Sequence, residues 1–267
     1  MEMWWRRVRV YVARMTVCAL SWGAVHAEAP RFAGNETFTY ALYVQQGFIT
    51  IKAGTASIAI VEAGGGYEAR LTLQTTALVE AIFHVDVRIT TRLTRELKPL
   101  RYEKHVEEGS RVYDEECVFS YPPGGGCVVS SRRTHADGRV EVGKGRRERQ
   151  VYDLLSLFFY ARRLDFARLT PEKRVSVPVV SGVRVRDKTL VYKGEEEVEI
   201  ADGGKVKAGV FVLYAWDGNE SARFAFSQEG TRVPQRLDVA LKFGSGSARL
   251  CPENSATPPE RQPAPVQ

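Results

Sequence analysis

Apolar and polar residues alternate along most of the chain, which predicts antiparallel β-strands. Apolar positions recur at every second residue from Phe38 to Val44, and Gly47 marks a turn before the pattern continues to residue 61. The same period returns at 67–78 and 82–93, with His84 and Asp86 on the polar side. A two-residue period with one polar face is typical of half-buried antiparallel strands.

Short strands also fill the second half of the chain after Pro171. The pattern predicts them at residues 175–179, 183–192, 196–200, 206–215, 222–227, 233–243 and 247–250. The turn-forming groups at 202–204 and 217–219 predict hairpins between neighbouring strands. Roughly a dozen strands result, and the absence of a repeat of about 20–50 residues argues against propellers and solenoids.

One segment, residues 153–167, breaks the alternation and predicts a helix. Asp153 is a suitable N-cap, and no glycine or proline follows until Pro171. Most of the helical circumference is apolar, so the helix should be buried on more than one side. We therefore expect an all-β, mainly antiparallel fold: a curved sheet, half-barrel or incomplete barrel with one central helix.

The first 27 of the 267 residues resemble a cleavable export signal. Four arginines precede the apolar run 15–25, and the segment ends in Val25-His26-Ala27, with small or apolar residues where signal peptidase reads them. The apolar run is shorter than the ~20 residues of a membrane-spanning helix. We expect cleavage after Ala27, a periplasmic mature form that does not span the membrane, a single β-rich domain at 28–251 and a disordered proline-rich tail at 252–267. An uncleaved anchor is the alternative.

Removal of this segment lowers the formal net charge from +6 to +3, because it carries four arginines and one glutamate. The remaining charge gives little support for a nucleic-acid partner. The sequence contains no nucleophile elbow, zinc-protease motif, phosphate-binding loop or dinucleotide fingerprint. We therefore expect a non-catalytic protein with no cofactor and no metal, although residues distant in sequence can still assemble a catalytic site.

Three cysteines follow the export segment. Cys117 and Cys127 are placed symmetrically about Pro122, and they would face each other across a hairpin centred on that proline. An oxidising compartment would then allow a disulfide between them, the alternative being two reduced thiols. Cys251 has no partner in this scheme.

Four polar residues, Asp153, Ser156, Tyr160 and Arg163, fall within one stripe of the predicted helix. Burying them without partners would be costly. One interpretation is a structural network that fixes the helix on the sheet, with Arg163 paired to a strand carboxylate. The other is a ligand-binding site at the polar mouth of an apolar cavity, suited to a lipid or other amphiphile.

A basic stretch between residues 132 and 149 is the second candidate site. Its arginines can hold phosphate groups through their forked donors, and the anion-binding candidates are Arg132, Arg133, Arg146, Arg147 and Arg149. The simpler interpretation is a solvated hairpin.

The arrangement of motifs resembles an exported bacterial family known as domain of unknown function 3108. The resemblance rests on the aromatic strand 38–44 with Gly47, the segment 97–102, the helix pattern Asp-x-x-Ser-x-x-x-Tyr-x-x-Arg from residue 153, and the segments 232–234 and 244–247. It implies a cell-envelope location and an antiparallel all-β fold comparable with the half-barrels of lipoprotein carriers. It implies no established activity.

These observations favour a periplasmic protein that binds or carries a hydrophobic or amphiphilic envelope component. The alternative is a structural or assembly protein that docks onto an envelope protein. Hydrolysis is a more distant alternative.

Overall fold

Fourteen antiparallel strands form one continuous sheet in the computed structural model, which describes residues 35–80, 84–228, 230–241 and 244–252. The strands are β1 (Glu36–Gln46), β2 (Ile49–Ala63), β3 (Gly66–Thr75), β4 (Val85–Leu93), β5 (Pro99–Glu108), β6 (Arg111–Ser120), β7 (Cys127–His135), β8 (Val140–Arg147), β9 (Arg174–Ser181), β10 (Arg184–Glu199), β11 (Lys205–Tyr214), β12 (Glu220–Ser227), β13 (Pro234–Leu241) and β14 (Gly244–Leu250). The predicted all-β, mainly antiparallel fold is confirmed. The predicted export signal at 1–27 lies outside the described residues, as does the predicted tail at 252–267 apart from Pro252.

The sheet curls into a nearly closed barrel. Its strand order is β8-β7-β6-β5-β4-β3-β2-β1-β14-β13-β12-β11-β10-β9. Because every neighbouring pair is antiparallel, the turns that follow the odd-numbered strands lie at one end, here called the upper end. The connections that follow the even-numbered strands, including the one that carries the main helix, start from the lower end.

Three short helical segments accompany the strands: α1 (Ala77–Glu80), α2 (Leu154–Arg163) and a 3-10 helix (Phe166–Arg168). α2 lies inside the lower part of the barrel, where Leu157 and Phe159 are fully buried. The Phe158 ring packs edge-on against Phe224, with 5.6 Å between centroids. The predicted helix at 153–167 is therefore confirmed as central but ends earlier, because the backbone turns extended after Arg163.

The lower half of the β10–β11 hairpin folds over the outer face of the barrel. The two strands predicted at 183–192 and 196–200 are one strand, β10. It bends at a register irregularity between Tyr192 and Gly194. Beyond the bend, Glu196 pairs with Arg223 at 2.9 Å on the outer face of β12. A second, smaller apolar cluster lies where this hairpin packs on the outer face; it consists of Val198, Ala208, Val210, Val212 and Ala225.

The barrel closes by overlap at the seam between β8 and the β9–β10 turn. Gly143 and Gly145 share the inward face of β8, since they pair with Ser131 and Val129. A Cβ atom on Gly143 would lie 1.8 Å from the carbonyl oxygen of Val183. Only residues without side chains on this face allow the turn to approach the β8 backbone so closely.

We expect Gly143→Ala to destabilise the protein by about 1–3 kcal/mol, because the added methyl group forces the backbone at Val183 to move. Urea denaturation of the purified protein measures the change. Gly124→Ala is the matched control, since a Cβ there meets nothing within 4 Å. Equal stability of both variants would show that the overlap does not contribute to closure.

Candidate functional site

Asp153 and Ser156 form a fully buried capping box at the start of α2. The Asp153 Oδ1 atom accepts hydrogen bonds from the backbone N–H groups of Leu155 and Ser156 at 2.9 and 3.0 Å. The Thr91 hydroxyl of β4 donates to the same oxygen at 3.0 Å, and the Asp153 N–H donates to the Ser156 hydroxyl at 3.0 Å. The predicted N-cap is therefore present, and it attaches the helix to the sheet.

Burial raises the pKa of the Asp153 carboxyl group, and the hydrogen bonds from Ser156 oppose part of that rise. The second carboxylate oxygen, Oδ2, is buried without a hydrogen-bond partner. Desolvation disfavours the charged form of such a group.

The other two residues of the predicted stripe lie apart from this network. The Tyr160 ring stacks against Tyr152 with 5.0 Å between centroids. Arg163 is half-buried and donates to the carbonyl oxygen of Arg95 at 3.4 Å. The capping box matches the structural interpretation, whereas a ligand-binding role for the four residues stays a prediction.

The arginine that pairs with a strand carboxylate is Arg162, not Arg163 as the structural interpretation expected. Its Nη1 atom lies 2.6 Å from Glu36 Oε2, and its side chain is 1% exposed. Its Nε atom also donates to the carbonyl oxygen of Arg232 at 2.8 Å. The sequence carried no signal for this pair, because the two residues are 126 positions apart and only the closed sheet brings them together.

Arg232, in the turn between β12 and β13, donates in turn to carbonyl groups at the end of α2. It donates to the carbonyl oxygen of Leu164, and its guanidinium lies 4.2 Å from the centroid of the Phe166 ring. The two arginines thus satisfy carbonyl groups on each other's segments, which fastens the C-terminal end of α2 to the lower end of the barrel.

The predicted disulfide between Cys117 and Cys127 is wrong, because both are free thiols. The β6–β7 register pairs Cys117 with Ser131, four residues beyond Cys127. At about 3.3 Å per residue, that offset exceeds the reach of a disulfide. Both thiols point into the core, and burial raises the pKa of Cys117 to about 12.

The structure does not bring the five candidate anion-binding arginines onto one surface. Arg133 faces inward and pairs with Glu115. Arg147 donates to the carbonyl oxygen of Val185 at 3.0 Å, and Arg149 pairs with Asp187 at 2.8 Å, so both tie the seam together. Arg132 and Arg146 are exposed on the outer face, and anion binding there stays a prediction.

The inner wall of the upper half of the barrel is apolar but only half-buried. In β3, Ala69 is fully buried, whereas Leu71 and Leu73, which are on the same face but nearer the upper end, are half-buried. In β1 the same change occurs between Tyr40 and Leu42. We call this surface the upper lining; it consists of Leu42, Leu71, Leu73, Val87, Leu237 and Val239.

The side chains of the upper lining are half-buried and keep part of their surface accessible to solvent. Shallow cavities among the described residues include one on the outer face of β4–β7 beside His105, one at the lower end beside Gly65 and one at the seam beside Gly143. The half-burial of the lining follows from the position of α2, which fills the lower interior, whereas no described helix occupies the upper interior.

Three cations surround Tyr113 on the inner face at the upper end. Distances to the ring centroid are 5.7 Å for Lys104 Nζ, 4.9 Å for the Arg111 guanidinium and 4.8 Å for the Arg133 guanidinium. We call these four residues the cationic cluster. Arg133 is neutralised by Glu115, and Arg111 lies 3.7 Å from Glu108. Sequence analysis missed the cluster because only the antiparallel pairing aligns these strands.

The outer face carries a second arrangement that sequence analysis missed. Glu107 bridges His84 and His105, at 3.3 and 2.9 Å, and His105 also contacts Asp114 at 2.7 Å. Hydrogen bonds that His105 donates to the carboxylates of Glu107 and Asp114 raise the pKa of His105. Within the described ranges, no group of three or more His, Cys, Asp or Glu side chains is arranged to hold a metal ion.

No helix in the described part of the chain has the length and apolar character needed to cross a membrane. The family model described as "Protein of unknown function (DUF3108)" matches residues 39–250. The chain belongs to this family. The predicted resemblance is thus confirmed over most of the sheet, and no curated protein matches the chain.

One solved structure supports the fold of this DUF3108 protein. A β-barrel-like protein of domain of unknown function DUF1849 from Brucella abortus is similar, with a TM-score of 0.57 and 13% identity, covering 84% of this chain and 98% of the other. A DUF1089 family protein from Pseudomonas aeruginosa has a TM-score of 0.31 and 14% identity, covering 67% and 93%. The Brucella protein supports the barrel-like architecture alone.

Proposed function

We propose that this DUF3108 protein is an exported, non-catalytic binding protein for an amphiphile of the cell envelope. The acyl chain would lie against the upper lining, and the polar head would lie at the cationic cluster. The observation that carries this proposal is the coexistence of a half-buried apolar wall and inward-facing cations at the same end of one barrel.

The apolar wall supplies the larger part of the binding free energy. Its members are already packed on the core along one side, so a bound chain would cover the solvent-exposed side without a large rearrangement. Each buried methylene group contributes about 0.8 kcal/mol. A site formed on strands of a continuous sheet is also ordered before binding, which reduces the entropic cost.

The cationic cluster selects the head group. Lys104 is half-buried and forms no ion pair in the described part of the chain, and its Nζ atom lies 5.7 Å from the centroid of the Tyr113 ring. An ammonium group with this freedom can bind a phosphate or carboxylate oxygen directly. We therefore expect an anionic head group to bind more tightly than a neutral one.

Export and a periplasmic location belong to the same proposal. They rest on the pattern of the first 27 residues, where arginines precede a short apolar run and a cleavage-type sequence. An extracytoplasmic location would place the barrel next to membrane lipids and lipopolysaccharide, whose chemistry fits the two parts of the site.

The test is uptake of fluorescent lysophosphatidylglycerol below its critical micelle concentration. Leu73→Gln should weaken binding roughly tenfold, because one apolar wall contact is replaced by a polar group. Thr72→Gln is the matched control: Thr72 neighbours Leu73 but is exposed on the outer face, so its variant should bind as the wild type does.

Lys104→Gln separates the role of the head group from that of the chain. It should weaken binding of lysophosphatidylglycerol and leave binding of an uncharged alkyl maltoside unchanged. Absence of uptake by the wild-type protein, or equal binding by the Leu73→Gln and Thr72→Gln variants, would contradict the proposal.

A further inference from the structure

The tip of the β1–β2 hairpin exposes three apolar side chains in one short stretch. Every residue from 45 to 52 is exposed, and relative exposures reach 107% for Phe48, 69% for Ile49 and 48% for Ile51. Gly47 adopts a left-handed conformation with φ of 58°, which allows the tight turn before Phe48. A contiguous group of exposed apolar residues marks an interaction surface, unlike apolar residues scattered singly.

This tip, residues 45–52, lies at the upper end of the barrel, beside the mouth that the upper lining surrounds. Leu42 of that lining and Val44 share one face of β1 and lead directly toward the tip. Val44 pairs with Ile51 across the hairpin. A half-buried apolar path therefore connects the inner wall of the barrel with the exposed tip.

A second aromatic residue is exposed at the same end. Trp216 occupies the turn between β11 and β12 and is 71% exposed. The Arg186 guanidinium lies 5.8 Å from its ring centroid. Tryptophan flanked by a cation is favoured at the boundary between water and lipid, because the ring is apolar and its N–H group is polar.

The chemistry of the tip favours a lipid surface over a protein partner. Residues 45–52 contain no carboxylate, and Lys52 is their one charged residue. An eight-residue tip is far smaller than the roughly 20–30 residues on each side of a stable protein interface. A bilayer needs no complementary shape and accepts apolar side chains beside anionic head groups.

We propose that the tip inserts into the surface of an anionic lipid bilayer and places the barrel mouth against the membrane. An amphiphile can then pass between the bilayer and the upper lining without crossing water as a free molecule. This transfer of an amphiphile rests on the proposed function, whereas insertion of the tip into a bilayer can be measured without a bound amphiphile.

The experiment is co-sedimentation of the purified, exported protein with vesicles of phosphatidylethanolamine and phosphatidylglycerol in equal parts. Phe48→Glu should reduce the bound fraction at least roughly tenfold, because it removes the most exposed apolar group and adds a negative charge. Thr72→Glu adds the same charge at an exposed site on the outer face of β3 and should retain binding.

Failure of the wild-type protein to sediment with vesicles, or equal sedimentation of the Phe48→Glu and wild-type proteins, would overturn the proposal. A concentration-dependent dimer that Phe48→Glu abolishes would assign the tip to a second copy instead and would also overturn it. Lysophosphatidylglycerol uptake without vesicles should be unchanged by Phe48→Glu, so failure of docking is distinguishable from failure of amphiphile binding.

Discussion

Arg162→Met should lower the free energy of unfolding by about 3–5 kcal/mol, which is the usual cost of removing one partner of a buried ion pair. Glu36 is 9% exposed and faces the Arg162 guanidinium across two contacts of 2.6 and 3.2 Å. Removal of the guanidinium also leaves the carbonyl oxygens of Thr231 and Arg232 without this donor. Chemical denaturation followed by far-ultraviolet circular dichroism measures the loss.

The neighbouring arginine provides the control for this experiment. Arg163 makes one long hydrogen bond to a backbone carbonyl group at 3.4 Å, so Arg163→Met should change stability by less than about 1 kcal/mol. Combining Arg162→Met with Glu36→Gln should recover part of the loss, because the uncompensated charge is then absent. Equal effects of Arg162→Met and Arg163→Met would show that the buried pair does not stabilise the helix end.

Asp153→Ala should cost about 3 kcal/mol. Loss of an N-cap side chain typically costs about 1–2 kcal/mol, and this variant also removes the acceptor of the buried Thr91 hydroxyl group, which adds about 1–3 kcal/mol. Asp153→Asn keeps a side-chain oxygen that can accept the same hydrogen bonds and should cost less. Thermal and urea unfolding of the two variants provide the comparison.

The same carboxyl group predicts a pH dependence with a definite sign. Because burial raises the pKa of Asp153 above its usual value of about 3.9, the folded state binds this proton more tightly than the unfolded state. The contribution is complete at pH values below about 3.9 and is lost as the pH rises through the folded-state pKa. The stability advantage of wild type over Asp153→Asn should therefore shrink with rising pH.

Asp165 is the control residue for the cap. It occupies the N-cap position of the 3-10 helix but makes no side-chain capping hydrogen bond, and its ion pairs with Arg168 and Arg232 are long, at 3.2 and 4.0 Å. Asp165→Ala should cost less than about 1 kcal/mol. An Asp153→Ala variant as stable as Asp165→Ala would contradict the structural importance of the buried cap.

Local sequence patterns were sufficient to predict the strands and the capped helix. Strand alternation depends on which face each residue presents, and that period is visible at 37–61 without knowledge of any partner strand. The cap at Asp153 was equally predictable, since its partners Leu155 and Ser156 are sequence neighbours. Both inferences concern residues within a few positions of one another.

The predictions that depended on strand register or on pairs distant in sequence, the disulfide and the ion pair of the helix, were wrong. The expected disulfide assumed a hairpin centred on Pro122, whereas the observed pairing of Ser120 with Val128 centres it on Gly124. When the centre of the turn moves by two residues, the residue opposite each strand position changes by four, so Cys117 faces Ser131 and not Cys127. The helical wheel placed Arg163 in the polar stripe, but it could not show that Arg162 meets Glu36 once the sheet curls.

The sequence by itself determined an antiparallel β-fold, a buried central helix with its cap, and membership of a family of unknown function, because period, capping and motif spacing are local properties. Only the tertiary structure decided that α2 fills the lower half of the barrel, that the upper lining remains half-buried, and that three cations meet at Tyr113. These features arise from strand register and sheet curvature, which depend on the packing of the whole sheet at once.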